Sequence, residues 1–222
     1  MKLVHLDLES QFEFDEKINV LCVENATEFR KFLEDFHCQI DGFNGKFVLS
    51  ENEKEIYFSK SVAVITDYFS LDFSEKKLQN KLYSVLQSIC EEKFKVDFAK
   101  FNEEFYRLFN KLNSESPFEL ECDVDPSISA LLKCFGVSFS YENSSFIEKL
   151  CKYVEILFNL LSLKLIVFVN LKSYLSKDEI KLVYQFFLYN KINVFLLESS
   201  FKEKYEQEFC VIVDNDLCEI VA

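Results

Sequence analysis

Residues 118–126 read FELECDVDP, which sets Glu119, Glu121, Asp123 and Asp125 at alternate positions. An extended chain rises ~3.3 Å per residue, so the four carboxylates would leave one face with neighbours roughly 7 Å apart. Left unneutralised they would repel. Hard oxygen donors suit Ca2+, which accepts irregular shells of about six to eight oxygens, better than Zn2+, which prefers His and Cys. The spacing is not that of an EF-hand loop and fits no named ligand order. The competing reading is a solvated acidic linker in which Asp125 only caps the helix that follows.

Other constellations are sparser. Asp67, Glu198 and Asp214, with Asn170 alongside, stand at the ends of apolar runs. In an open parallel sheet those ends share the edge where ligands bind, although strands also end in polar residues because they emerge into water there. His5 and His37 are the only histidines, and no G-x-S-x-G elbow surrounds a serine. The neighbours His37 and Cys38 diverge on a helix, so a Cys–His dyad would have to be assembled from distant parts. A phosphate loop needs clustered glycines ahead of a helix, and the chain has three glycines in all. Gly42 and Gly45 in DGFNGK match no phosphate-binding pattern and precede a strand, which reads as a plain turn.

The elements that would position these residues are legible from periodicity. INVLCV (18–23), GKFVLS (45–50), SVAVITD (61–67), LIVFVN (165–170), INVFLLE (192–198) and FCVIVD (209–214) have strand length and composition. Four are almost continuously apolar, as strands covered on both faces are, so a mostly parallel buried sheet is expected. Between the fourth and fifth, SKDEIKLVYQFFLYN opens with a capping box of Ser176 and Glu179 and carries Ile180, Val183 and Phe187 at helical spacing. Strand, helix, strand makes a right-handed crossover the default. NATEFRKFLEDFHC repeats the device with Asn25 and Glu28.

From Phe73 to Asn113 there are only two helical stripes, Leu78–Leu82–Val85–Leu86–Ile89 and Phe98–Phe101–Phe105–Leu108–Leu112, a helical hairpin. DPSISALLKCFG then places Asp125 at a cap, Pro126 at the first helical position and Gly136 past the end. A short strand, VSFS, separates it from a helix that opens on a Ser145–Glu148 capping box.

The formal charge of −13 excludes a surface that is basic everywhere, so nucleic acid could be held only through a local basic patch or with bound cations. Only Arg30 and Arg107 among the 25 basic residues are arginine, and 26 phenylalanines stand beside no tryptophan, a bias consistent with an A+T-rich genome. The eight cysteines contain no C-x-x-C pair and read as reduced small hydrophobes. MKLVHLDLES lacks an apolar leader core and no run approaches the ~18 apolar residues of a membrane span. A soluble cytoplasmic protein with no membrane partner is the expectation.

ECDVDPSISALLKCFGVSF, FIEKLCKYVEILFNLLSLKLIVFVN, YLSKDEI and NKINVFLLE, in that order and spacing, resemble the ring-forming spacer-acquisition protein of type II-A CRISPR systems, the Csn-two family. The likeness in letters runs over residues 118–198; the first 110 residues agree in order of elements. The resemblance implies an α/β head of P-loop-ATPase-like architecture, a mostly parallel sheet lacking a working phosphate loop, with an inserted helical leg. Residues 1–70 and 137–222 would form the head and 71–136 the leg.

It further implies a homotetrameric ring with Ca2+ between subunits. Double-stranded DNA ends would enter the hole of that ring through lysines, independently of sequence. The CRISPR integrase subunits and the RNA-guided effector nuclease would be partners, with no catalysis by the chain itself. Glu121 and Asp123 fall on the family's E-x-D run, with Glu119 and Asp125 as supporting Ca2+ ligands. Lys133 in LLKCFG and Lys149 in FIEKL fall on its lysines and become the candidates for phosphate contact. The alternative for each lysine is ordinary solvation of a helix. Two other functions compete with the DNA sleeve in CRISPR adaptation: a metal- or nucleotide-dependent phosphoryl enzyme using Asp67, Glu198 and Asp214, and an acidic protein-only scaffold.

Overall fold

The computed structural model describes residues 1–123, 126–141 and 144–222. In chain order the elements are β1 (Lys2–His5), β2 (Gln11–Glu13), β3 (Ile18–Val23), α1 (Ala26–Ile40), β4 (Phe47–Glu51), β5 (Lys54–Ile56), α2 (Phe58–Ser61) and β6 (Val62–Ile65). They continue with α3 (Lys76–Lys93), α4 (Lys95–Glu115), α5 (Ile128–Cys134), α6 (Phe146–Leu160), β7 (Leu165–Val169), a 3₁₀ turn at Leu171–Ser173, α7 (Lys177–Tyr189), β8 (Val194–Glu198), β9 (Glu208–Val213) and β10 (Glu219–Val221). Contacts divide the chain into two units, Met1–Leu71 with Tyr141–Ala222, and Asp72–Ser140. The fold is α/β, and no helix among the described residues is long and apolar enough to cross a membrane.

The first unit is built on a six-stranded sheet of order β10-β9-β3-β8-β7-β6. Its first five strands in sequence pair in parallel and β10 adds to β9 antiparallel. Every residue of β3, β7 and β8 is buried, which is what a continuous apolar run requires: helices or a second sheet on both faces. The β7–α7–β8 crossover forms as its pattern predicts, and both halves of the Ser176–Glu179 capping box are made. The Ser145–Glu148 box at α6 is also complete. At α1 only half of the device forms. Asn25 accepts from the Thr27 and Glu28 amides, while the Glu28 carboxylate turns outward to Lys31 at 2.6 Å.

A second sheet departs from the sequence expectation. β4, read as a member of the parallel sheet, instead lies in an antiparallel sheet of order β2-β1-β4-β5. Burial alternates along it: Leu3 and His5 in β1, Phe47 and Leu49 in β4. That is the signature of a sheet with one covered face. The covered face meets α1 and the large sheet through aromatic rings. Phe36 stacks on Phe47 with centroids 3.9 Å apart, and Phe12 meets Phe195 edge-on at 4.9 Å.

Three further boundaries differ. β8 starts at Val194 rather than Ile192. Residues 137–140 are irregular where VSFS reads as a strand. α5 begins at Ile128 with Ser127 accepting from the Ala130 amide, two residues later than the expected start at Pro126. Its end is as expected: Gly136, at φ +64°, turns the chain so that its amide reaches the Lys133 carbonyl and the Val137 amide that of Leu132. In the second unit α3 buries Leu78 and Tyr83, whereas α4, among the described residues, buries none of its own.

Candidate metal centre and nucleic-acid interface

The acidic run follows α4 as irregular chain, so no strand holds its carboxylates to one face. Two bonds to α4 fix its backbone. The Leu120 amide donates to Asn113 Oδ1 at 3.1 Å, and the Tyr106 hydroxyl donates to the Asp123 carbonyl at 2.5 Å. Glu119, Glu121 and Asp123 are exposed; Asp125 lies outside the described residues. No three His, Cys, Asp or Glu side chains among the described residues come together closely enough to hold an ion. The donor chemistry fits Ca2+ but the donor number within one chain falls short of about six to eight oxygens. Further ligands would have to come from water, backbone or another molecule.

Lys133 stands in the last turn of α5 with its side chain exposed. Its ammonium lies 5.6 Å from the centroid of the Tyr83 ring, and the Tyr83 hydroxyl is anchored on the Val137 carbonyl at 2.9 Å. A cation–π contact at an exposed site is worth ~0.5–1 kcal/mol, which orients the lysine without engaging it against a phosphate. Lys149 is half-buried in the first turns of α6. Lys133 belongs to the second unit and Lys149 to the first.

The strand-end carboxylates have separate fates. Asp67 accepts the Phe69 and Ser70 amides at 2.8 and 3.2 Å; hydrogen bonds from Ser70 and then Phe69 hold its carboxyl below the usual range. Asp214 accepts the Asp216 and Cys218 amides at 2.9 and 2.8 Å, closing the β9–β10 hairpin. Both are turn builders. Asn170 adopts a left-handed φ of 57° and its Oδ1 accepts the Ser199 amide at 2.7 Å.

Glu198 alone is perturbed towards neutrality. It is buried, and that burial pushes its carboxyl up to about 7 against the opposing Lys172 amide, which donates to its Oε1 at 3.0 Å.

The sequence reading missed the partners of Glu198. Lys172, after β7, is buried and pairs with Glu208 at 2.7 Å; its ammonium also donates to the Glu203 carbonyl. Glu208 additionally accepts from the Tyr184 hydroxyl at 2.6 Å and the Tyr205 amide at 3.1 Å. A lysine in LKSYLS and a glutamate in YEQEF carry no local signal of burial. Only a glutamate at the first position of a core strand, opposite an amphipathic helix that carries a tyrosine on its inner face, hints at the cluster.

Beside it, over the first turn of α7, opens a groove of about 350 Å³. Its three lysines are each engaged inside the chain: Lys172 on Glu208, Lys177 on Glu203 and Lys202 on the Lys172 carbonyl. The connection where a nucleotide-binding sheet would carry its phosphate loop, β3 to α1, is Glu24–Asn25 without glycine, and the Asn25 side chain fills the helix N-terminus at 3.0 and 3.2 Å from two amides. That arrangement leaves no amide cradle for an anion.

Comparison with known proteins agrees with the resemblance. The model of the family described as CRISPR-associated protein (Cas_Csn2) matches residues 39–217. A CRISPR-associated protein Csn2 of Enterococcus faecalis is 23% identical over 212 residues, a span covering 94% of this chain and 93% of that protein.

Proposed function

The chain belongs to the CRISPR-associated Csn2 family, and from that premise we propose that it is a non-catalytic cytoplasmic sleeve for double-stranded DNA ends in the acquisition of new spacers. The head is a nucleotide-binding architecture of P-loop-ATPase type put to a different use. The observation that carries the non-catalytic part is the β3–α1 connection, whose helix N-terminus is already occupied by Asn25. Of the three carboxylates a phosphoryl enzyme would use, Asp67 and Asp214 are bound to their own turns and Glu198 is shut away from solvent.

In this reading four copies close a ring. Glu119, Glu121, Asp123 and Asp125 supply carboxylates to Ca2+, with the remaining oxygens coming from a neighbouring copy. A cation there relieves the mutual repulsion of subunits that each carry −13. Lys133 and Lys149 contact phosphates and read no base edges, so binding is indifferent to sequence and falls steeply with salt. The integrase subunits and the RNA-guided effector nuclease of the same system are the partners such a DNA-end holder would serve.

The test is a mobility-shift titration of linear and closed-circular duplex of equal length, with Ca2+ and with a chelator, on protein whose mass is followed by light scattering. Retention of linear DNA only, with Ca2+ and a tetramer-sized mass, is expected. Retention of neither form at low salt overturns the DNA reading and leaves an acidic scaffold.

A further inference from the structure

Aromatic rings from three connections meet at the C-terminal edge of the large sheet. Phe69 lies just past the end of β6, Tyr174 directly follows the 3₁₀ turn after β7, and Phe146 opens α6. The Phe69 centroid is 5.4 Å from that of Phe146 at an interplanar angle of 33°, and 5.7 Å from that of Tyr174 at 80°. Tyr68 seals the inner side: it is buried, its ring lies 5.3 Å from Tyr174 and its hydroxyl donates to the Val169 carbonyl at 2.9 Å. The outer side is open. Phe69 is 74% exposed and Tyr174 49%, with Phe146 half-buried.

A lone exposed phenylalanine is ordinary, whereas rings that touch and are fixed in place form a patch with a use. Asp67 accepts the Phe69 and Ser70 amides at 2.8 and 3.2 Å, the Tyr174 amide donates to the Leu171 carbonyl at 3.1 Å, and Phe146 stands behind the completed Ser145–Glu148 capping box. The backbone under each ring is therefore set before anything binds, which keeps the ordering cost of a contact small. At ~150–250 Å² per ring, the open faces amount to on the order of 300 Å². A stable protein interface needs ~800 Å² a side. The patch suits one or two flat groups, not a subunit.

Local charge says which flat group. Asp67, Asp72 and Glu148, the carboxylates within three residues of Phe69 and Phe146, are each held on backbone amides: Asp67 as above, Asp72 on Ser74 at 2.8 Å and Glu148 on Ser145 at 2.7 Å. Lys149 lies one turn along α6 from Phe146, on the same side of the helix. Lys152 donates to the Ser144 hydroxyl at 2.9 Å, and neither lysine forms an ion pair among the described residues. Open aromatic faces beside uncommitted ammonium groups are the pattern of single-strand sites, where bases stack on rings and cations take the phosphates. The rings are tilted against one another and offer no plane as wide as a base pair, so a single base on one face is what fits.

We propose that Phe69 and Tyr174, with Phe146 beside them, form a stacking platform for unpaired nucleotides at a DNA end. The platform rests on the reading that the chain holds such ends and adds a preference for ends that carry an unpaired tail. Every base has a π-face, so the preference is indifferent to tail sequence.

The experiment is a fluorescence-anisotropy titration of the full chain, with Ca2+, against one duplex in several forms: blunt, with a tail of about four unpaired nucleotides on the 3′ or the 5′ strand, and with equally long abasic tails. Wild type is compared with Phe69→Ala, Tyr174→Ala and Tyr174→Phe, folding being checked by urea melts. A tail with bases is expected to tighten binding by about fivefold or more, and an abasic tail to add little, since stacking of one base on one ring is worth at least that factor. Both alanine variants are expected to bind blunt duplex as wild type does and to lose the gain from the tail. Tyr174→Phe, which keeps the ring, is expected to retain it.

Equal affinity for blunt and tailed duplex, an abasic tail as effective as one with bases, or alanine variants that weaken blunt and tailed duplex alike would each overturn the platform. Retention of tailed duplex without retention of blunt duplex leaves the platform standing and removes the double-strand reading, and retention of neither overturns both.

Discussion

Lys172 is the residue whose removal the head should tolerate least. Its side chain is 5% exposed and that of its partner Glu208 is fully enclosed. Replacing it with Met keeps the volume and deletes the charge, leaving the Glu208 side chain without its cation in the core beside Tyr184, whose hydroxyl is kept protonated by burial and by Glu208. Breaking a buried pair from one side costs ~3–5 kcal/mol. The Tyr184 hydroxyl and Tyr205 amide continue to serve the carboxylate, which places the expected loss at the lower end, about 3 kcal/mol. For a domain of this size that corresponds to a fall in Tm of roughly 6–12 °C.

Adding Glu208→Gln should return most of the loss, because Gln removes the orphaned charge and can still accept from Tyr184; replacing both members of a buried pair is often close to neutral. Chemical and thermal denaturation of the wild type, the two single variants and the double variant complete the cycle. Lys172→Met costing under ~1 kcal/mol, or a double variant no more stable than Lys172→Met, would refute the claim that uncompensated charge is what the pair prevents.

Other outcomes follow from single groups. Glu198 has a folded pKa raised to about 7 by burial, so its contribution is full below the unfolded value near 4.3 and is lost as pH rises through 7; Glu198→Gln should remove roughly 3–4 kcal/mol of pH-dependent stability and be the more stable protein at pH 8, measured by urea melts across pH 4–8. His5 runs the other way. Its Nδ1 accepts the Asp7 amide at 3.2 Å, so the proton sits on Nε2 and is donated to Asp35 at 3.1 Å. Burial lowers its pKa, and stability is lost as pH falls below ~6.5, a slope that His5→Gln should flatten. Gly45→Ala would bring a Cβ within 2.6 Å of the Gln39 side chain, which bonds both the amide and the carbonyl of Phe47; displacing it should cost ~1–3 kcal/mol in denaturant melts. Lys133→Ala and Lys149→Ala should each reduce the slope of log affinity against log salt by about one, equally on unrelated duplex sequences, whereas a change in sequence preference would contradict phosphate contact.

What sequence could and could not disclose follows from the range of each signal. The parallel strands, α1, α6 and α7 are legible because a continuous apolar run, a cap and a 3.6-residue stripe are all local. The antiparallel sheet is not, since β1 and β2 are 4 and 3 residues long, too short for alternation to show, and β4 alone looks like any buried strand. α5 reads from Asp125 and Pro126 as starting at Pro126, whereas in the structure it starts at Ile128 behind a Ser127 cap that the Asp-Pro pattern obscures. The Lys172–Glu208 pair was out of reach for another reason. Its members are 36 residues apart in sequence, and nothing in either neighbourhood distinguishes them from surface charges until the β7–α7 turn is laid over the first residue of β9. α4 falls between these cases. Its stripe was plain, yet periodicity says which face of a helix is apolar and leaves open what covers it. In α3 the answer lies within the chain, where Leu78 and Tyr83 are buried. In α4 the described chain does not supply it.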